Sequence, residues 1–189
     1  FYSSVIRTEQ TKLNEKVEKL LKTDFALIDK SQTFEEIDVS TAVEDIAETF
    51  RVQVEQKGGR ISIEKAGRRF TVTGNTDLLF IALGNLVDNA VKYSGQPPEI
   101  LVRLGSKDNR LVIVIEDNGP GIAREFRDKV FEKYFRVPAG NTHSVDGFGL
   151  GLYQVKGIIA GMKGSIRISN RKEGGLAVTI DLPLAPGNE

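Results

Sequence analysis

The run Leu111-Val112-Ile113-Val114-Ile115, and the turn Glu116-Asp117-Asn118-Gly119-Pro120-Gly121 into which it empties, constrain this chain more than any other segment. Successive apolar, mostly β-branched residues predict a well-buried strand. A carboxylate just past the end of such a strand, ahead of two glycines, stands where it can read the edge of a ligand. Asp117 can accept a hydrogen bond from an amino group such as that of adenine, while Gly119 and Gly121 let the backbone approach the base. An ordinary Asp-Asn-Gly-Pro turn accounts for the same residues.

The rest of the chain predicts a frame for that strand. From Ser4 to Lys30 there is no Gly or Pro, and Ile6, Leu13, Val17, Leu20, Leu21, Phe25 and Ile28 recur at helical spacing. That stripe needs a partner, either the following domain or another helix in a bundle. A short strand is expected over Phe34 to Asp38. A helix is expected from Ser40 or Thr41, where Thr41 and Glu44 have capping-box spacing, to Gly58-Gly59. Alternation at Ile61, Ile63 and then Phe70, Val72 marks two more strands. A helix should run from Asp77 to Tyr93, ending before Gly95 and Pro97-Pro98. Strands Ile100–Leu104 and Leu111–Glu116 should form a hairpin. A Gly-containing stretch from Asn118 to Gly149, with one short helix around Arg124–Phe131, leads to a helix at Leu150–Ala160. Strands Ser165–Ser169 and Ala177–Leu182 close the chain. This order predicts an α+β fold, a mixed and mainly antiparallel sheet covered by helices on one face and preceded by one long helix.

Two further segments carry candidate chemistry. In Asn85-Leu86-Val87-Asp88-Asn89-Ala90-Val91-Lys92-Tyr93, helical spacing puts Asn85, Asn89 and Lys92 on one face. Asparagine is a poor helix former, and two beside Leu78, Ile81, Ala82 and Leu86 are costly unless something binds them. Their amide oxygens suit Mg²⁺ held jointly with phosphate oxygens and waters. Lys92 offers a point charge for phosphate and Tyr93 a ring for a base. A solvated helix face with incidental Asn fits equally well. Gly147-Phe148-Gly149-Leu150-Gly151-Leu152 precedes a helix, where free N–H groups and the helix dipole favour phosphate. It is neither a Walker loop nor a dinucleotide fingerprint, and a hinge explains it too.

Composition narrows the classes. Lys plus Arg number 26 against 26 Asp plus Glu, so no basic field argues for nucleic acid or an anionic membrane. The absence of cysteine removes disulfides, thiolate metal sites and cysteine nucleophiles. No apolar run approaches the roughly 20 residues that span a bilayer, and no signal peptide opens the chain. The first residue is Phe1 rather than Met, so the chain reads as a piece of a longer protein.

Taken together, in this order and spacing, the motifs resemble those of sensor histidine kinases. Asn85 to Ser94 is similar to their N box, Asp117 to Gly121 to the G1 box, Phe131-Glu-Lys-Tyr-Phe-Arg136 to the F box, and Gly147 to Leu152 to the G2 box. The resemblance covers about Phe34 to Leu184. It implies the Bergerat-type ATP-binding sandwich of the GHKL group, shared with gyrase, Hsp90 and MutL. Upstream, Ile6, Glu9, Leu13, Val17, Leu20 and Leu21 resemble the second helix of the family's dimerisation and histidine-phosphotransfer hairpin. The domains implied are residues 1–32, part of that hairpin, and 33–189, the catalytic ATP-binding domain.

The resemblance also implies roles. Asn89 would ligate Mg²⁺ with Asn85 assisting, Lys92 would contact phosphate, Tyr93 would pack by the adenine, and Asp117 would take its amino group. Gly119, Gly121 and Ile122 would line the nucleotide, and Arg136 would reach the terminal phosphate. The backbone of Gly147, Phe148, Gly149, Leu150, Gly151 and Leu152 would wrap the phosphates, with Val137 to Phe148 as the ATP lid. Phe148 departs from the Thr often found there, which removes a hydroxyl contact to phosphate and leaves a ring to pack the lid. The cofactors implied are ATP and Mg²⁺. The partners are the phosphoacceptor-histidine helix of its own dimer and a response regulator receiver domain, within a full-length homodimer. The setting implied is the cytoplasmic part of an inner-membrane sensor.

The single histidine, His143, falls in the expected lid and is a poor candidate for a metal ligand or base. The phosphoacceptor is expected upstream of Phe1. Two alternatives remain. An ATPase of the gyrase, Hsp90 or MutL kind would carry Glu four residues before Asn85 as the base that activates water, but position 81 is Ile. A degenerate nucleotide-binding or dimerisation module would lack phosphotransfer, yet every expected polar contact is present.

Overall fold

A computed structural model describes residues 33–138 and 148–186. The expected long helix, His143 and Gly147 lie outside the described residues. The elements are β1 (Glu35–Asp38), α1 (Val39–Gln56), β2 (Arg60–Ala66), β3 (Thr71–Gly74), α2 (Thr76–Tyr93), β4 (Glu99–Lys107), β5 (Arg110–Glu116), α3 (Gly151–Gly161), β6 (Ser165–Asn170) and β7 (Leu176–Pro183). Five strands form one sheet in the order β2-β4-β5-β7-β6, with β2 parallel to β4 and every other pairing antiparallel. Strands β1 and β3 form a separate antiparallel pair. The α+β class and the mixed, mainly antiparallel sheet are as the sequence predicts.

Alternation along the strands explains why only one face is covered. Ile100, Val102 and Leu104 of β4, Leu111, Ile113 and Ile115 of β5, and Ile180 and Leu182 of β7 are buried. Helix α2 packs against both α1 and α3, and the three helices supply the other half of the core through Val43, Ile46, Leu79, Leu83, Leu86, Val155 and Ile159. Each such side chain contributes about 1.5–3 kcal/mol when fully buried. The expectation for β5 needs one adjustment, because Val112 and Val114 are only half-buried and point to the open face. Its unbroken apolar run is therefore not a strand buried on both sides.

Strand β4 runs on to Lys107, past the expected Leu104, and two helices differ from expectation. Helix α1 begins at Val39, not at a Thr41–Glu44 capping box, because the Asp38 carboxylate accepts a hydrogen bond from the Ser40 amide at 2.9 Å. A carboxylate one turn earlier satisfies an orphan N–H and leaves Thr41 exposed. The short helix around Arg124–Phe131 is two separate 3-10 turns, Arg124–Phe126 and Lys129–Phe131. Helix α2 starts as its cap dictates, with Asn75 Oδ1 accepting from the Leu78 amide at 3.0 Å.

Candidate nucleotide-binding site

Asp117 continues the β5–β7 ladder by one bond, its amide donating to the Leu176 carbonyl at 3.0 Å. Its side chain is 5% exposed, an unusual position for a carboxylate. Oδ1 accepts from the Gly119 amide at 2.7 Å and the Leu176 amide at 3.1 Å. Both donors fall on the same oxygen, so Oδ2 takes no hydrogen bond from the described residues. Burial pushes the carboxyl above its ordinary value of 3.8, opposed by those two amides and by the charge of Arg171. A buried carboxylate with one oxygen fixed and one uncommitted is built to accept one further hydrogen bond.

The two G1 glycines have an internal reason as well. A Cβ on Gly119 would lie 2.1 Å from the Tyr93 carbonyl oxygen, and one on Gly121 would meet the Asn170 side chain at 2.8–2.9 Å. The space their missing side chains leave is filled by protein, which draws the turn onto the end of α2. Ile122 is anchored by its amide, which donates to Asn170 Oδ1 at 2.9 Å.

Asn85 and Asn89 lie half-buried on α2, between the core residues Ala82 and Leu86 and the surface. Asn85 Nδ2 donates to the Ile81 carbonyl at 2.9 Å, so Oδ1 is turned away from that bond. A Cβ on Gly151, at the start of α3, would lie 3.2 Å from this Oδ1. The Asn89 side chain makes no hydrogen bond with the described residues. One oriented amide oxygen and one uncommitted amide fit a hard cation that takes its remaining ligands from phosphate and water. Among the described residues no group of three or more His, Cys, Asp or Glu forms an alternative metal cluster. Lys92 is exposed and ion-paired with Asp88, so a phosphate would have to compete for it. Tyr93 is 47% exposed.

The F and G2 boxes meet backbone to backbone, the Tyr134 amide donating to the Gly149 carbonyl at 2.9 Å. Cations brace the same corner, with Lys133 over the Tyr153 ring at 4.8 Å and Lys156 over the Phe131 ring at 5.5 Å. Arg136 and Phe148 are exposed, and Leu150, Gly151 and Leu152 are half-buried. Among the described residues no side chain caps the start of helix α3. Contacts therefore chain all four motifs: G1 to N box at Gly119 and Tyr93, N box to G2 at Asn85 and Gly151, G2 to F box at Gly149 and Tyr134.

Several residues hold this arrangement through contacts that the sequence does not signal. Asn118 Oδ1 accepts from the Gly95 amide at 3.1 Å and the Glu99 amide at 3.0 Å, and its Nδ2 donates to the Pro97 carbonyl at 2.9 Å. It clasps the loop after α2 to the G1 turn. Asn170 and Arg171 hold the same turn from β6.

Comparison with known proteins gives the family and the fold. A family model described as histidine kinase-, DNA gyrase B-, and HSP90-like ATPase matches residues 74–186. The chain is 37% identical over 188 residues to the sensor protein RprX of Bacteroides fragilis (strain YCH46), covering 96% of this chain and 36% of that one. It spans about a third of the length of the curated relatives it matches. The mycobacterial sensor histidine kinase MprB superposes with a TM-score of 0.71 at 29% identity, over 82% of this chain and 100% of that structure. The histidine kinase ThkA, solved in complex with the response regulator protein TrrA, gives a TM-score of 0.73 at 20% identity, over 100% of this chain and 52% of that one. At that identity the likeness is one of fold.

Proposed function

The chain belongs to the histidine kinase-, DNA gyrase B- and HSP90-like ATPase family, as a catalytic domain of the sensor histidine kinase type, and on that premise we propose how its site works. It binds Mg-ATP and transfers the γ-phosphoryl group to a histidine on the dimerisation hairpin of its own dimer, for relay to a response regulator receiver domain. The observation that supports this reading is the chain of contacts that links the Asp117 turn, the end of α2 at Asn85 and Tyr93, and the start of α3.

In this reading Asp117 Oδ2 accepts from the adenine amino group. Gly119, Gly121 and Ile122 carry the turn beside the base, and Tyr93 flanks it. Asn89 and Asn85 would hold Mg²⁺, which when bound would supply charge neutralisation to the phosphates. Lys92, Arg136 and the backbone of residues 147–152 supply further positive potential. An imidazole nitrogen attacks the γ-phosphorus in line, a P–N bond forms, the P–O bond to the β-phosphate breaks and ADP leaves. We assign residues 1–32, which lie outside the described residues, to the dimerisation hairpin, and 33–189 to the catalytic domain. The chain's single histidine is His143, so the acceptor is supplied from elsewhere in the full-length protein. We place the domain on the cytoplasmic side of a membrane sensor. No described helix is itself long and apolar enough to cross a membrane.

Hydrolysis to water is the weaker reading, because Ile81 occupies the position of the usual base and is 47% exposed. An aliphatic side chain cannot take a proton from water.

Incubation with γ-labelled ATP tests the proposal. The longer native chain should acquire an acid-labile phosphoryl adduct, and the 189-residue chain should acquire none. Stable labelling of the short chain that disappears in His143→Ala would make His143 the acceptor and overturn this account.

A further inference from the structure

Asp117 is held on its backbone as firmly as on its side chain, and that second hold comes from the β6–β7 turn. Arg171 Nη1 donates to the Asp117 carbonyl oxygen at 2.9 Å. Gly175 lies against the same oxygen, since a Cβ there would stand 1.9 Å from it, and its φ of +100° suits glycine. The turn is closed on itself by the Arg171 amide, which donates to the Gly175 carbonyl at 3.0 Å.

The guanidinium is braced from its other edge. Arg171 Nε lies 3.6 Å from Glu116 Oε2, and Glu116 is paired with Arg103 at 2.6 Å, which pairs with Glu64 at 2.8 Å. This alternating row crosses the open face of the sheet and ends on the Asp117 peptide. Glu116 is the most sheltered member, with a side chain 12% exposed. Arg103, Glu116 and Arg171 also line a polar cavity of about 330 Å³ with Ser169, Asn170 and Lys172. The hydrophobic core needs none of this, because Ile113, Ile115 and Ile180 are already buried on the opposite face.

We propose that Arg171 is a positioning residue for base recognition: braced by Glu116, it fixes the Asp117 peptide so that the uncommitted carboxylate oxygen meets the adenine amino group. The proposal rests on the reading of Asp117 given above. A planar fork can hold a carbonyl and a carboxylate at once, which a lysine ammonium does less well. Loss of the fork leaves the Asp117 peptide held by Leu176 alone, and recognition by a single hydrogen bond is sensitive to displacements of about 1 Å.

Nucleotide affinity and base preference together test it, by calorimetry on the 189-residue chain with ATP and GTP. Arg171→Ala should weaken ATP binding on the order of tenfold, the loss of one charge-assisted hydrogen bond, and reduce the preference for ATP over GTP. Arg171→Lys and Glu116→Gln should show smaller changes of the same direction. Because the cavity opens beside the deleted side chain, guanidinium ion below denaturing concentrations should restore part of the preference to Arg171→Ala. Wild-type preference that persists in Arg171→Ala, or equal weakening of ATP and GTP, overturns the positioning role alone. A wild-type chain that binds both nucleotides equally overturns the Asp117 reading and this proposal with it. Should Arg171→Ala fail to fold, the same comparisons in Arg171→Lys and Glu116→Gln decide.

Discussion

The two ends of the site are built differently. At the base end, Asp117 is buried, fixed through its amide, its carbonyl and one carboxylate oxygen, and packed among glycines whose Cβ positions are occupied by protein. At the phosphate end, the Asn89 side chain makes no hydrogen bond with the described residues, Lys92 and Arg136 are exposed, and α3 starts without a side-chain cap among the described residues. On the proposed reading the base end is organised before the ligand arrives, whereas the described residues of the phosphate end make few side-chain contacts with one another. In that reading a rigid reader would give specificity at low ordering cost, and the phosphate end would admit Mg²⁺ and exchange product for substrate. The contrast predicts that substitutions at the two ends respond differently to removal of the metal.

The largest effect is expected at the phosphate end. Asn89→Ala should reduce Mg-ATP affinity by about a hundredfold or more, since loss even of a ligand's supporting partner costs 10–100-fold in metal affinity. The change should vanish when both proteins are titrated with ATP in chelator. Calorimetry on wild type and variant, with and without Mg²⁺, decides it. Equal affinities in all four titrations would remove the Asn face from the metal site.

At the base end the expected effect is smaller and independent of metal. Asp117→Asn turns an acceptor into an amide whose NH₂ faces the adenine amino group. The mismatch costs on the order of 2 kcal/mol, roughly thirtyfold in affinity, and should relax the preference for ATP over GTP. Acid gives the same contrast a sign. The folded-state pKa of Asp117 lies above its ordinary value, chiefly because of burial, so the folded chain holds this proton more tightly than the unfolded chain does. Its contribution therefore destabilises the apo fold at neutral pH, and that cost is relieved as pH falls from the raised value towards 3.8. ATP affinity should move the opposite way over the same interval, because a protonated Oδ2 donates where it must accept. Asp117→Asn should flatten both profiles. Wild-type ATP affinity that stays constant through the interval contradicts the assignment.

What the sequence revealed follows how local each signal is. Helix α2 was legible because its apolar period and its misplaced asparagines lie within eighteen residues. Strand β5 and the Asp117 turn were legible because β-branched residues running into Asn-Gly-Pro-Gly carry their own geometry. The start of α1 was misplaced by competition between two caps, Asp38 and Thr41, which only the backbone path decides. The clasping role of Asn118 was not legible, and Asn170 and Arg171 were not legible at all. Their partners Glu99, Ile122 and Asp117 lie 19, 48 and 54 residues away, and an Asn or Arg at a strand end looks like ordinary surface. The residues proposed to touch the ligand had local signatures, and those that hold them in place had only tertiary ones.

The smallest effect probes how loosely the phosphate end is held. Lys92 is paired with Asp88 one turn earlier on α2, and both side chains are about a third exposed. Such a helical pair is worth about 0.3–0.5 kcal/mol, little enough for a triphosphate to displace. Asp88→Asn removes one negative charge near the phosphates and releases Lys92. ATP affinity should therefore rise, by no more than about threefold, while the helix loses only the few tenths of a kcal/mol of the pair. The gain should shrink in high salt, where the Debye length falls to about 3 Å at 1 M. Lys92→Ala should lower affinity and, combined with Asp88→Asn, cancel most of the gain. A double-mutant cycle read by calorimetry at low and high salt measures both terms. If Asp88→Asn weakened ATP binding at low salt, the pair would be orienting Lys92 for the phosphate, and this region would be as pre-organised as the base end.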